Sequence, residues 1–118
     1  MAHHNVTGKS GEALALAYLI RNDFVILHTN WRHSHYEIDV IAYKENTLHF
    51  IEVKTRRSLK FGYPEESVTK KKMESLMNGA EVFLLLNPQW KRVQYDILSV
   101  NLWKKQDPEY FFIEDVSL

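Results

Sequence analysis

Apolar positions along the chain change period several times, and each change marks an element. From Thr7 to Arg21, Leu14, Ala17 and Tyr18, with Leu16, Leu19 and Ile20, recur at helical spacing. Ala13, Ala15 and Ala17 add helix propensity, and Asn5, Thr7 and Ser10 all stand as candidate N-caps. Asn22-Asp23 ends this helix, and Phe24 to His28 reads as a short apolar strand before a polar loop from Asn30 to Tyr36. Glu37 to Lys44 and Thr47 to Arg57 are rich in β-branched and aromatic residues. Glu45-Asn46 between them is a turn, which makes this the strongest hairpin signal in the sequence. Ser58 to Glu66, with Gly62 and Pro64, reads as loop. Thr69 caps a second helix, Lys70 to Leu86, closed by Asn87-Pro88. Arg92 to Val100 is a fourth strand, and Tyr110 to Glu114 is a candidate fifth. The order α-β-β-β-α-β predicts an α/β fold with a mixed central sheet flanked by helices. The helix between the third and fourth strands predicts a parallel pair.

The hairpin carries the chemistry. With the turn centred on Glu45-Asn46, Asp39 falls opposite Glu52 and Glu37 opposite Lys54. Alternation then places positions 37, 39, 41, 43 and 48, 50, 52, 54 on one face. Ile38, Val40, Ala42, Ile51 and Val53 take the other face, as core. Two carboxylates facing each other across a strand pair repel, and desolvation sharpens the repulsion. A cation relieves it. Two hard oxygen ligands beside a lysine suit Mg²⁺ or Mn²⁺, with Lys54 placed to act on a water or on charge at a phosphate. The bland alternative is a solvated hairpin end with exposed ion pairs, Glu37 to Lys54 and Asp39 to Arg56 or Arg57.

Charge distribution adds a partner. The 118 residues carry no formal net charge, which by itself argues against a bulk polyanion binder. Between Lys54 and Lys72, however, seven basic residues (Lys54, Arg56, Arg57, Lys60, Lys70, Lys71, Lys72) meet only Glu65 and Glu66. Such a segment can hold a nucleic-acid backbone locally, or it can be a solvated loop and helix start. Cysteine is absent, which excludes disulfides, thiolate metal sites and thiol nucleophiles. No apolar run approaches the roughly 20 residues of a membrane span, and no signal-peptide pattern opens the chain. The expectation is one domain over residues 1–118, located in a cytoplasm.

Asp39 followed by Glu52-Val53-Lys54 resembles the PD-(D/E)xK signature of restriction-endonuclease-like enzymes. More narrowly, the chain is similar to the YraN-type family of small, uncharacterised bacterial proteins predicted to be endonucleases, distant relatives of archaeal Holliday junction resolvases. The motifs carrying the resemblance begin with Gly8-Lys9-Ser10-Gly11-Glu12-Ala13, Asn30-Trp31-Arg32 and Glu37-Ile38-Asp39-Val40-Ile41. They continue as Phe50-Ile51-Glu52-Val53-Lys54-Thr55-Arg56, Phe61-Gly62-Tyr63-Pro64, Lys72 and Tyr95-Asp96. Tyr36 stands where the family usually has Gly, and Tyr95 where it usually has Phe. The resemblance implies metal binding by Asp39 and Glu52, a catalytic Lys54, and Glu12 as a further acid brought to the same site from the first helix. It also implies DNA as substrate, branched DNA included, and a homodimer. Glu37 is a supporting residue, either a direct ligand or an anchor for Lys54. Arg56, Arg57, Lys60, Lys70 and Lys72 are the expected nucleic-acid contacts. The rival expectation is a non-catalytic nucleic-acid-binding or partner-recruiting module that keeps this fold.

Other motifs carry less. Gly8-Lys9-Ser10 lacks the first glycine of a P-loop, since position 3 is His3, and no strand precedes it. His33-x-His35 has no third ligand at a telling spacing for zinc. Trp31, Trp90 and Trp103 read as core or rim, and Asp96 as a structural acid pairing Arg92 or an arginine of the basic segment.

Overall fold

The computed structural model describes residues 3–57, 69–103 and 106–116, with side chains from Gly11 onward. The elements are α1 (His3–Arg21), β1 (Val25–His33), β2 (Tyr36–Lys44), β3 (Thr47–Arg56), α2 (Lys70–Leu86), β4 (Val93–Asn101) and β5 (Glu109–Ile113). The five strands form one mixed sheet in the order β1-β2-β3-β4-β5, antiparallel except for the parallel β3–β4 pair across α2. This is the α/β arrangement of a restriction-endonuclease-like core. Among the described residues, no helix is long and apolar enough to cross a membrane.

The sheet separates two apolar layers. On one side Ile41, Leu48, Phe50 and Ile97 pack against Met73, Leu76, Ala80 and Phe83 of α2. On the other side Val40, Ala42, Ile51, Leu98 and Val100 pack against Ala15 and Leu19 of α1 and against Phe24. Burial on both faces explains why apolar residues fall at adjacent positions in β3 (Phe50-Ile51) and β4 (Ile97-Leu98). Two glycines set the approach of the helices. A Cβ at Gly11 would strike the Thr55 side chain, and one at Gly79 would come within 3.1 Å of Tyr36 Cβ. Thr69 accepts from the Lys72 amide at 3.2 Å and so caps α2 as expected.

Several boundaries differ from the sequence expectation. Helix α1 begins at His3, so Asn5, Thr7 and Ser10 lie within it and none of them is its N-cap. The segment from Asn30, expected as loop, continues β1 to His33 and pairs Trp31 with Ile38, Arg32 with Glu37 and His33 with Tyr36. β1 is an edge strand, and its exposed positions impose no apolar alternation for a sequence reading to detect. The loop expected at Ser58 to Glu66 and the motif Phe61-Gly62-Tyr63-Pro64 lie outside the described residues.

Candidate active site

The β2–β3 hairpin turns through Glu45 and Asn46, whose φ values of 49° and 65° suit a two-residue hairpin loop. Pairing then runs from Lys44–Thr47 to Val40–Ile51, the predicted register. One step further the strands part. Asp39 does not continue the ladder by simple opposition; its Oδ2 accepts a hydrogen bond from the Val53 amide at 2.8 Å. The neighbouring strand is irregular at the same level. Pairing passes from Thr29–Val40 to Trp31–Ile38, and Asn30 between them has φ 51°. Ile38 therefore packs in the α2 layer with Ile41, and not with Val40 as strict alternation predicted.

This break places the two acids differently from expectation. Asp39 lines a groove of about 260 Å³ on the α1 side with Glu12, Leu16, Thr29, Asn30, Val53 and Thr55. Glu52 lines a shallower groove of about 160 Å³ on the α2 side with Glu37, His35 and Lys72. Their carboxyl groups are still neighbours where the strands separate, and the charge on Asp39 acts directly on Glu52. Lys54 Nζ is 3.8 Å from Glu52 Oε1, and the side chains are 20% and 19% exposed. Asp39, Glu52 and Lys54 thus occupy one small volume, as the sequence predicted.

The electrostatics are those of an over-crowded acid pair. Burial, and next the charge on Asp39, push Glu52 up to about 7, against the pull of Lys54 and Lys72. Burial is also the main cause that raises Asp39, with the Val53 hydrogen bond opposing it and the Glu37 charge adding to it. Burial lowers Lys54, and the neighbouring Lys72 ammonium lowers it further. Lys72, from the first turn of α2, is therefore a member of the site.

The remaining expected residues distribute as follows. Glu12 is exposed on α1 and faces Asp39 across the larger groove. Among the described residues, no three His, Asp or Glu side chains form a ready-made metal-binding group. Glu37 pairs with Arg32 at 3.4 Å instead of Lys54, because the strands have already diverged at its level. It still borders Glu52. Arg56 closes β3, Arg57 follows it exposed, and Lys70 is exposed at the start of α2. Lys60 lies outside the described residues.

Asp96 has a different partner from those predicted. Its Oδ2 is 2.6 Å from His49 Nδ1, and its Oδ1 accepts from Gln94 Nε2 at 2.8 Å and from the Asp115 amide at 2.9 Å. This network sits near the hairpin-turn end of β3, away from Glu52 and Lys54. Sequence reasoning also passed over Ser99 and Asn101. Both are fully buried polar residues on β4, paired with Lys54 and Arg56. Ser99 and Asn101, two polar residues flanking Val100 right after the apolar pair Ile97-Leu98, were the signal available.

The donor set at the strand split has the chemistry of a hard-cation site. Two adjacent carboxylates supply oxygen ligands, and their mutual repulsion is what a divalent ion removes. Comparison with known proteins gives the lineage. The model of the uncharacterised protein family UPF0102 matches residues 11–100. A UPF0102 protein of Bacteroides fragilis is 41% identical over 100 residues, covering 85% of this chain and 83% of its own. Another from Flavobacterium psychrophilum is 39% identical over 106 residues, covering 90% and 89%. A third, from Flavobacterium johnsoniae, is 37% identical over 123 residues, covering 99% and 95%. The chain belongs to the UPF0102 family, the YraN-type family of bacterial proteins.

Proposed function

We propose that this protein is a Mg²⁺- or Mn²⁺-dependent endonuclease that hydrolyses DNA phosphodiester bonds, with branched DNA as its substrate class. The observation that carries the reading is the meeting of Asp39 and Glu52 at the split between β2 and β3, with Lys54 3.8 Å from Glu52. The pair is electrostatically unfavourable, since burial and mutual repulsion both oppose its ionisation. The position also agrees with the general placement of sites in open α/β sheets, beyond the carboxyl ends of parallel strands, here β3 and β4.

Asp39 and Glu52 would hold the ion, with Glu12 reaching it through water from α1. When bound, the ion supplies Lewis-acid polarisation of the scissile phosphate and an acidified water. The Val53 amide holds Asp39 Oδ2 and so restrains the carboxylate beside the groove. Lys54, kept less basic by burial and by Lys72, orients the attacking water or meets charge developing on the phosphate. Lys72 borders Glu52, and with Arg56, Arg57 and Lys70 of the same basic segment it would hold flanking phosphates without reading bases. Lys60 extends the same basic segment in sequence.

The test is cleavage of labelled linear duplex, single strand, flap and four-way junction, with Mg²⁺ and with Mn²⁺, beside Glu52→Ala and Lys54→Ala. Cutting by the parent that both variants lose is the expected result. Cutting that survives in both places the activity elsewhere. Junction binding without cutting by the parent means that the fold serves as a non-catalytic module.

A further inference from the structure

Asn101, the last residue of β4, is fully buried, and its Nδ2 has no hydrogen-bond partner; it is the buried side-chain polar atom in this condition among the described residues. A buried, unsatisfied amide donor is disfavoured and rare in native structures, so its retention calls for a ligand that the protein itself does not provide. Its surroundings say where that ligand lies. Leu98 and Val100 point into the α1 layer and Ile97 into the α2 layer. Alternation puts Ser99 and Asn101 on the α2 side, and Ser99 Oγ donates to Asn101 Oδ1 at 3.5 Å. That is the side on which Glu52 borders Lys72 and pairs with Lys54. The parallel register sets Ser99 beside Lys54 and Asn101 beside Arg56.

We propose that Asn101, oriented by Ser99, is a positioning residue whose Nδ2 holds a buried water that also contacts Lys54 Nζ, fixing the lysine toward the reaction centre. The chemistry suits a water: the amide oxygen is engaged by Ser99, which leaves the two N–H groups as the donors to be met, and Lys54 leans on its partner at a loose 3.8 Å with hydrogen-bonding capacity to spare. Asn101 does not touch substrate; it acts through the lysine. The inference rests on the endonuclease reading for its consequence, but the buried water does not depend on catalysis.

Two measurements test it. The first is nuclear magnetic resonance on the parent protein, following the Asn101 side-chain amide. A cross-peak to a long-lived water is expected, and it should vanish in Lys54→Ala. Absence of the water, or its persistence without Lys54, overturns the proposal. The second is Asn101→Leu, which removes the amide that holds the water and the acceptor of Ser99. At a temperature where both proteins are folded, kcat for DNA cleavage should fall about 10- to 100-fold with KM unchanged, and Asn101→Gln should recover part of the rate. Unchanged kcat, or a loss of rate that merely follows a loss of stability, overturns it. If the parent cuts no DNA in the panel, the endonuclease reading fails on its own, and the water signal still decides whether Asn101 positions Lys54.

Discussion

Replacing Glu52 with Gln should make the metal-free protein more stable, although it removes a residue placed at the centre of the site. In the folded chain, burial and the Asp39 charge push Glu52 from the ordinary 4.5 to about 7. An acid whose folded-state value is raised works against folding once it ionises: the unfolded chain releases its proton first, so stability falls as pH rises from about 4.5 through about 7. At about 1.4 kcal/mol per decade this gap is worth about 3 kcal/mol. Solvent screening of a side chain that remains 19% exposed reduces the figure to about 2 kcal/mol. Gln keeps the volume and can donate to the Asp39 carboxylate in place of repelling it. For 118 residues about 2 kcal/mol is about 8 °C in Tm. The assay is thermal melting of parent and Glu52→Gln at pH 5 and pH 8 in chelator, then with millimolar Mn²⁺. The variant should melt about 8 °C higher at pH 8 and at nearly the parent's temperature at pH 5. Mn²⁺ at a hundred times its Kd should raise the parent by about 3 kcal/mol and the variant far less. A variant that melts at or below the parent at pH 8 in chelator refutes the crowded-acid argument. An equal gain at both pH values refutes it too, because that result would come from packing and not from ionisation.

Gly11→Ala drives a Cβ against Thr55 Oγ1 and to within 2.6 Å of its Cγ2. It should cost about 1–3 kcal/mol in urea unfolding, and Thr55→Ala in the same chain should recover most of that; no recovery means that the contact is not the cause. Asp96→Ala strands His49, Gln94 and the Asp115 amide at once. A loss of about 3–5 kcal/mol is expected from the denaturation midpoint, and a loss below 1 kcal/mol would contradict a satisfied buried network. Arg32→Ala breaks an ion pair whose side chains are 71% and 43% exposed, so stability should change by less than about 0.5 kcal/mol. Cleavage by this variant should match the parent, and a large drop in rate would mean that the Arg32–Glu37 pair shapes the site.

The hairpin was legible because two independent signals agreed on it. Glu45-Asn46 tolerates the positive φ of a two-residue loop, and the flanking apolar pattern admits one register. That register brought Asp39, Glu52 and Lys54 together before any coordinates. It could not show that the ladder stops at Val40–Ile51, because alternation assumes that a strand continues straight. The break depends on Asn30 of another strand and on a side chain, that of Asp39, taking the Val53 amide from the backbone ladder. Hence Ile38 was placed in the wrong layer, and Asp39 on the face of Glu52, whereas it lines the groove on the α1 side. Glu37 was given Lys54 as its partner for the same reason. The extension of β1 escaped notice because exposed edge positions need no pattern. Asp96 was recognised as structural, but its partner His49 is 47 residues away across the parallel β3–β4 pair, whose register no turn fixes.

The chain handles buried acids in two opposite ways, and the contrast bears on which of them is functional. At one end of the sheet Asp96 is fully buried yet surrounded by donors: an imidazole, a side-chain amide and a backbone amide. Its charge or hydrogen-bonding capacity is met by the fold itself, and it needs no ligand. At the other end Asp39 and Glu52 face each other with one backbone amide between them, and Lys54 stands at a distance longer than a hydrogen bond. The fold could supply donors there, as it does for Asp96, and Asn101 nearby has an amide nitrogen to give but does not give it to either acid. Crowded acids left short of donors destabilise the protein alone, whereas the same groups become satisfied when a divalent ion enters. Stability is therefore the property to measure first: loading the site should stabilise the protein most at pH values where both acids are ionised, and neutralising Glu52 should abolish that response.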